Sequence, residues 1–131
     1  IRALFPFPVY AIDYVSDEKQ MARLYNAVDA YVTPSLEDNL PNTIVEALSC
    51  GVPCVGFNVG GIPEMIDHRK NGYLAEARNA EDLAEGIRFI LETASQEELS
   101  AHAVHSALAN YGETNVASKY IAVYKRASEK R

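Results

Sequence analysis

The chain has 131 residues, of which 48% are hydrophobic and 23% are charged, and its formal net charge at pH 7 is −6. The length suits one domain, residues 1–131, and the composition excludes a disordered or fibrous protein. The negative charge also excludes nucleic acid as a partner, because a surface that coats a phosphate backbone needs clustered Lys and Arg.

The amino-terminal residues contain neither an initiator Met nor the charged start and apolar centre of a secretory signal. No apolar run reaches the ~20 residues that a membrane span requires. We therefore expect a piece of a longer, cytoplasmic protein. The β-rich residues 9–14 predict a first strand, and apolar residues at helical spacing predict a helix over 17–28 with Ser16 as its N-cap.

A regular alternation of strands and helices follows. Residues 30–33 and 54–57 predict two short strands, and residues 42–50 predict the helix between them. Gly51 is expected to end this helix, because glycine readily takes the left-handed conformation of the C′ position. The alternation predicts an α/β fold, with a Rossmann-like parallel sheet and flanking helices.

The second half of the chain predicts mainly helices. A turn around residues 60–63 leads into a short helical segment over 63–67, and residues 73–75 predict another strand. Three helices are then expected: one from residue 79 or 80 onwards, one over 99–109 and one over 116–127. Thr114 or Asn115 is the predicted cap of the last helix.

Cysteine and histidine residues are expected to have no catalytic role. Cys50 and Cys54 have no further Cys or nearby His to complete a zinc site, so we expect free, reduced thiols. His68, His102 and His105 are expected to be solvated or structural, because proton transfer requires hydrogen-bond reach to a substrate. No spacing typical of metal ligands is present.

The polar loop of residues 37–40 and the helix start that follows form the best candidate for a ligand site. Ligands of parallel α/β sheets bind at the carboxyl ends of the strands, where this loop is expected to lie. The unpaired amides and positive dipole of the helix start favour a diphosphate. Asp38 and Glu46 provide carboxylates that accept hydrogen bonds from sugar hydroxyls.

A purely structural interpretation competes with this hypothesis. Thr43 and Glu46 fit the capping box S/T-x-x-E, in which the Glu only binds a backbone amide at the helix start. The acidic loop and the Gly60-Gly61 pair also fit ordinary turns. Spacing alone does not decide between the two interpretations.

Four blocks of sequence together resemble one enzyme family. They are residues 29–35 (DAYVTPS), 37–53 (EDNLPNTIVEALSCGVP), 60–64 (GGIPE) and 71–72 (NG). Through these blocks, residues 15–91 closely resemble the carboxyl-terminal half of the retaining glycosyltransferases of family 4, the group 1 transferases with the GT-B fold. The resemblance implies a donor-binding domain that is truncated, with the acceptor-binding domain absent.

The resemblance also implies roles for individual residues. The family has two acidic residues separated by seven others, a spacing that Asp38 and Glu46 match. The residue at Asp38 would contact the donor sugar near the reacting centre, and Glu46 would bind the nucleotide ribose. Backbone amides from Asn39, Leu40, Pro41 and Asn42 would bind the diphosphate, and Tyr14 and Val15 would lie against the base.

Two positions depart from the family pattern. Many relatives have Glu at the first acidic position, and the shorter Asp38 leaves open whether it or the adjacent Glu37 contacts the sugar. Asp13 stands where many relatives have Gly before the base-binding loop. The resemblance implies that no metal or other cofactor is required.

The implied enzyme transfers a sugar from a nucleotide-diphosphate sugar to an acceptor with retention of configuration. Its implied partners are the donor, the amino-terminal domain of the same protein and a glycan or lipid-linked acceptor in surface polysaccharide or glycoconjugate assembly. Peripheral association with the inner face of a membrane is a further possibility. Little or no activity is expected from the chain alone. The alternatives are a GT-B-type nucleotide-sugar epimerase, a non-catalytic nucleotide-binding module and a signalling domain.

Overall fold

The computed structural model describes residues 4–129, and its centre is a parallel sheet of three strands. The strands are β1 (Tyr31–Thr33), β2 (Cys54–Phe57) and β3 (Gly72–Ala75), in that order across the sheet. Val55 in the central strand pairs with Val32 on one side and with Tyr73 on the other. The predicted α/β fold with a parallel sheet and flanking helices is confirmed.

Five α-helices surround this sheet in the part of the chain that the structure describes. They are α1 (Glu18–Tyr25), α2 (Asn42–Ser49), α3 (Ala80–Arg88), α4 (Gln96–Tyr111) and α5 (Glu113–Glu129). A 3-10 turn, Ile62–Glu64, lies between β2 and β3, and a π-helical segment, Phe89–Thr93, continues α3. The observed bounds of β2 and α2 lie at or within one residue of the predicted ones, whereas α4 and α5 are longer than predicted.

Helices cover both faces of the sheet, because successive residues of a strand point to opposite faces. Cys54 packs in one core with Ile44 and Leu48 of α2, and Tyr25 of α1 and Ala103 of α4 belong to the same core. On the other face, Val55 and Phe57 of β2 pack with Ile90, next to α3. This arrangement places α1 and α2 side by side on the first face.

The end of α2 follows the sequence prediction. Gly51 has a φ of +76°, and its amide donates to the carbonyl of Leu48 at 2.9 Å. Both cysteines near this end have free thiols, as predicted. Cys54 is buried and Cys50 is half-buried. Burial raises the pKa of the Cys54 thiol, which keeps it protonated and unreactive.

Three predictions at the amino-terminal end are wrong. Residues 9–14 form no strand, although their composition is typical of one. β-propensity reflects packing against a neighbouring strand, and within residues 4–129 no strand pairs with this segment. The N-cap of α1 is Asp17 instead of Ser16, because the Asp17 carboxylate accepts from the amide of Lys19. This helix ends at Tyr25, three residues before the predicted end.

The carboxyl-terminal helices begin earlier than predicted. Ser95 caps α4 by accepting from the amide of Glu98. Neither Thr114 nor Asn115 caps α5, because that helix already begins at Glu113. The Asn115 side chain instead donates to the carbonyls of Leu108 and Ala109 and so closes the end of α4. No helix within residues 4–129 combines the length and apolar character needed to cross a lipid bilayer.

Candidate functional site

A cavity of about 450 Å³ lies between α1, α2 and the segment that precedes α1. Its wall includes Tyr14, Val15, Tyr25, Glu46, Ser49 and Cys50. Three of the predicted site residues, Tyr14, Val15 and Glu46, are therefore brought together. Tyr14 is 94% exposed, which leaves its ring available to contact a bound molecule.

Glu46 lies one turn inside α2, and its contacts do not support the capping-box interpretation. The helix begins at Asn42 after Pro41, and no side chain caps it. Thr43 is therefore already inside the helix, and its side chain does not cap the helix start. The carboxylate of Glu46 instead accepts a hydrogen bond from the hydroxyl of Tyr25 at 3.0 Å.

Tyr25 is a site residue that the sequence analysis did not single out among the apolar residues of the helix predicted over 17–28. Its side chain is 6% exposed, and its ring packs edge-on against Tyr31 with 5.8 Å between centroids. A buried tyrosine hydroxyl needs a hydrogen-bond partner. A tyrosine among the apolar residues of the predicted helix was therefore the sequence signal that could have indicated a polar contact. Burial and the hydrogen bond to Glu46 raise the pKa of Tyr25, so the hydroxyl stays protonated and donates.

The start of α2 provides free backbone donors. The amide of Ile44 is used by the carbonyl of Pro41 at 3.0 Å, whereas in the described chain no backbone carbonyl accepts from the amides of Asn42 and Thr43. Free amides at the positive end of a helix suit an anion. Pro41 has no N–H group, so the prediction that it donates to a diphosphate is wrong, and it serves instead to lead the chain into the helix.

The acidic loop is held against the turn that follows β2. The amide of Gly61 donates to the carbonyl of Asp38 at 3.0 Å, and a Cβ atom on Gly60 would overlap the backbone of Asp38. Within this loop Asp38 is half-buried and Glu37 is exposed. Neither acidic residue lines the 450 Å³ cavity, and the stretch from Asn39 to Asn42 lies outside its wall as well.

The histidines lie away from this cavity. The ring nitrogen Nδ1 of His68 accepts from the amide of Leu74 at 3.2 Å, and the ring packs on Tyr73 with 4.5 Å between centroids. His102 lines a different cavity, beside Arg69. Within residues 4–129 no group of three or more His, Cys, Asp or Glu side chains is arranged to hold a metal ion.

Comparison with known proteins identifies the family. Residues 9–107 match the protein family described as glycosyl transferases group 1. The chain belongs to the group 1 glycosyltransferases. This membership covers most of the chain and confirms the predicted enzyme class at the level of the family.

Two relatives and a solved structure agree with this assignment. A Campylobacter jejuni relative, N,N'-diacetylbacillosaminyl-diphospho-undecaprenol alpha-1,3-N-acetylgalactosaminyltransferase, is 31% identical over 88% of this chain. The N-acetyl-alpha-D-glucosaminyl L-malate synthase of Bacillus anthracis is 28% identical over 85% of this chain. The crystal structure of Anabaena HepE with UDP and glucose matches 81% of this chain with a TM-score of 0.69 and 25% identity.

These similarities support the predicted GT-B fold of the group 1 transferases. The chain spans 31% and 29% of the lengths of the two relatives and 29% of the HepE chain. The aligned region in each case includes most of this chain and a minor part of the larger protein.

Proposed function

We propose that this chain is the donor-binding domain of a retaining glycosyltransferase of family 4. The observation that carries the proposal is the position of Glu46, whose side chain lies in the wall of a 450 Å³ cavity next to Tyr14 and Val15. A carboxylate beside an exposed aromatic ring offers an acceptor for ribose hydroxyls and a surface for a base. The proposed ligand is a nucleotide-diphosphate sugar.

The donor would lie along α2, from the cavity to the start of the helix. The base would contact Tyr14 and Val15, and the ribose would bind Glu46. The diphosphate would meet the free amides of Asn42 and Thr43, where the helix dipole contributes roughly 0.3–2 kcal/mol per charge. The sugar would extend towards the acidic loop, to Asp38 or to Glu37.

The proposed chemistry depends on charge stabilisation by groups that are already in place. As the bond between sugar and diphosphate breaks, negative charge develops on the departing diphosphate. Fixed amide donors at a helix start stabilise such charge without reorganising. We propose that no metal ion is needed, in keeping with the expectation from the sequence.

The acceptor is proposed only as a class. The Campylobacter relative is named for a lipid-diphosphate compound, which supports a role in surface glycan or glycoconjugate assembly. The Bacillus relative is named for L-malate. Two relatives with similar sequence identity to this chain therefore carry names that imply different acceptors. The acceptor would bind in a second domain of the same protein, and we therefore expect the 131-residue chain alone to transfer little or no sugar.

Donor binding is tested by calorimetric titration of the full-length gene product with UDP, GDP, ADP and their sugars. We expect one base to bind and Glu46→Gln to weaken that binding by about tenfold or more, because a hydrogen bond to a charged group contributes about 1.5–3 kcal/mol. Glu92→Gln, an exposed position outside the cavity wall, is the matched control. Unchanged affinity in Glu46→Gln would remove the basis of the proposal.

The reaction class requires a separate test. The anomeric configuration of the product, read by NMR and compared with that of the donor, distinguishes retention from inversion. A nucleotide-sugar epimerase would change the sugar of the donor with no acceptor present, and a non-catalytic module would bind nucleotide without turnover. Either result would exclude the transferase.

A further inference from the structure

The hydroxyl of Tyr25 and the carboxylate of Glu46 form a hydrogen bond across the cavity wall. Tyr25 is the last residue of α1, Glu46 lies in the middle of α2, and the two are 21 residues apart in the chain. The donor–acceptor distance between the Tyr25 hydroxyl and Oε2 of Glu46 is 3.0 Å. No other side chain in residues 4–129 hydrogen-bonds to this carboxylate.

The two partners differ in burial. Tyr25 is 6% exposed and its ring packs at 72° against Tyr31, so the hydroxyl has a fixed position. Glu46 is exposed, and a free glutamate side chain samples several rotamers, which a ligand would have to restrict on binding. The fixed hydroxyl of Tyr25 restricts the Glu46 carboxylate before any ligand arrives.

We propose that Tyr25 is a positioning residue that holds Glu46 ready to bind the ribose of a nucleoside diphosphate. One carboxylate oxygen, Oε2, is occupied by the tyrosine hydroxyl, and the other, Oε1, is left to accept from ribose hydroxyls. The site then distinguishes ribose from a sugar that lacks these hydroxyls. This inference rests on the proposed function, because it requires a nucleotide in the cavity.

The size of the discrimination follows from the surroundings of Glu46. A buried site built to bind a hydroxyl can discriminate against a ligand that lacks it by several orders of magnitude. A solvated carboxylate discriminates less, because water replaces part of the lost hydrogen bonding. Glu46 is exposed, so we expect a factor of about ten between a ribonucleotide and its 2′,3′-dideoxy analogue. The Tyr25 hydroxyl should supply a large share of this factor.

The test is calorimetry on the full-length gene product with UDP, GDP and ADP, each compared with its 2′,3′-dideoxy counterpart. Tyr25→Phe keeps the ring and removes only the hydroxyl. We expect it to weaken binding of the preferred ribonucleotide by about five- to tenfold and to change binding of the dideoxy analogue by less than about twofold. A purely structural effect would weaken both ligands equally and would overturn the inference.

Two further variants complete the design. Tyr31→Phe removes the hydroxyl of the neighbouring ring, which makes no hydrogen bond to Glu46 in the described chain, and should leave the discrimination unchanged. In a Glu46→Ala background, Tyr25→Phe should have no further effect, because its partner is absent. An additional loss in that background would overturn the inference.

The outcomes separate this inference from the proposed function. If the unmodified protein binds no nucleoside diphosphate, or binds ribose and dideoxyribose forms equally, both are overturned. If it prefers the ribonucleotide and Tyr25→Phe retains the full preference, the role of Tyr25 is overturned and the proposed function stands.

Discussion

The amide of Gly61 donates a hydrogen bond to the carbonyl of Asp38, so the turn after β2 contacts the acidic loop and fixes its position. The approach is so close that a Cβ atom on Gly61 would overlap the carbonyl of Asn39. The position of the acidic loop therefore depends on two residues that have no side chain. This contact links the Gly60-Gly61 pair to the proposed sugar and diphosphate site.

Gly61→Ala should displace the acidic loop. We expect it to lower the free energy of unfolding by about 1–3 kcal/mol, because the new methyl group overlaps backbone atoms that cannot move aside easily. Binding of nucleoside diphosphates should weaken as well. Urea unfolding and calorimetry measure the two effects. Asn58→Ala, an exposed position in the same turn, is the control, and equal behaviour of the two variants would contradict this account.

The two cysteines should differ in reactivity. Cys50 is half-buried in the cavity wall and Cys54 is buried in the core, so a maleimide should modify Cys50 alone in the native protein. Burial and the nearby Glu46 raise the pKa of Cys50, so its modification should be slower than that of free cysteine and should accelerate as the pH rises.

A nucleotide bound in the cavity should protect Cys50 from this modification. The measurement is mass spectrometry of peptides after timed labelling with and without the nucleoside diphosphate found by calorimetry. Labelling in urea, where both thiols are exposed, provides the control. Labelling of Cys54 in the native protein at the rate seen for Cys50 would show that the core is not packed as described.

Substitution of Asn71 should destabilise the fold more than substitution of most other polar residues. It is 1% exposed. Its side-chain nitrogen Nδ2 donates to Oγ of Ser106 at 2.8 Å and to the carbonyl of Met65 at 3.2 Å. Its side-chain oxygen accepts from the backbone amide of Asp67. Asn71→Ala removes all three bonds, including the one to the carbonyl of the buried Met65 and the one to Oγ of the half-buried Ser106. We expect a loss of about 2–4 kcal/mol in the free energy of unfolding.

Thermal and urea unfolding measure this loss. Ser106→Ala removes one partner and should cost less, about 1 kcal/mol. Asn110→Ala, at an exposed position near the end of α4, should be nearly neutral. A neutral effect of Asn71→Ala would mean that water replaces the lost hydrogen bonds.

Asp82 should make the stability depend on pH in the acid range. Its carboxylate accepts from the amide of Glu76 at 2.6 Å and from the hydroxyl of Tyr73 at 2.8 Å, and these bonds lower its pKa in the folded state. In the unfolded chain the pKa of an Asp is about 3.9. A lowered folded-state pKa adds stability above the unfolded pKa, and that stability is lost as the pH falls through the folded pKa.

Asp82→Asn should therefore lose more stability at pH 7 than at pH 2.5, since the wild-type advantage shrinks once the pH falls below the pKa of Asp in the unfolded chain. Urea unfolding at both values measures the difference. Tyr73→Phe removes one of the two donors and should show a smaller pH-dependent loss. If the difference in the free energy of unfolding between the wild type and Asp82→Asn were the same at the two pH values, the lowered pKa of Asp82 would not contribute to stability.

Local patterns predicted the elements whose residues interact with near neighbours. Gly51 ended α2 as expected, because a left-handed residue at that position depends on the chain itself. The strand over 54–57 was correct in both bounds, because its apolar run is bordered by clear turn residues. The strand expected over 9–14 failed because a strand also requires a partner.

The sequence by itself determined the α/β alternation, the family and the presence of an acidic side chain on the second helix, because helix and strand periods and short motifs are local properties of a chain. Only the tertiary structure decided that Tyr25 is the partner of Glu46 and that Gly61 holds Asp38. The physical reason is that both hydrogen bonds join segments distant in the chain, and their geometry exists only after α1 packs on α2 and the β2 turn meets the acidic loop.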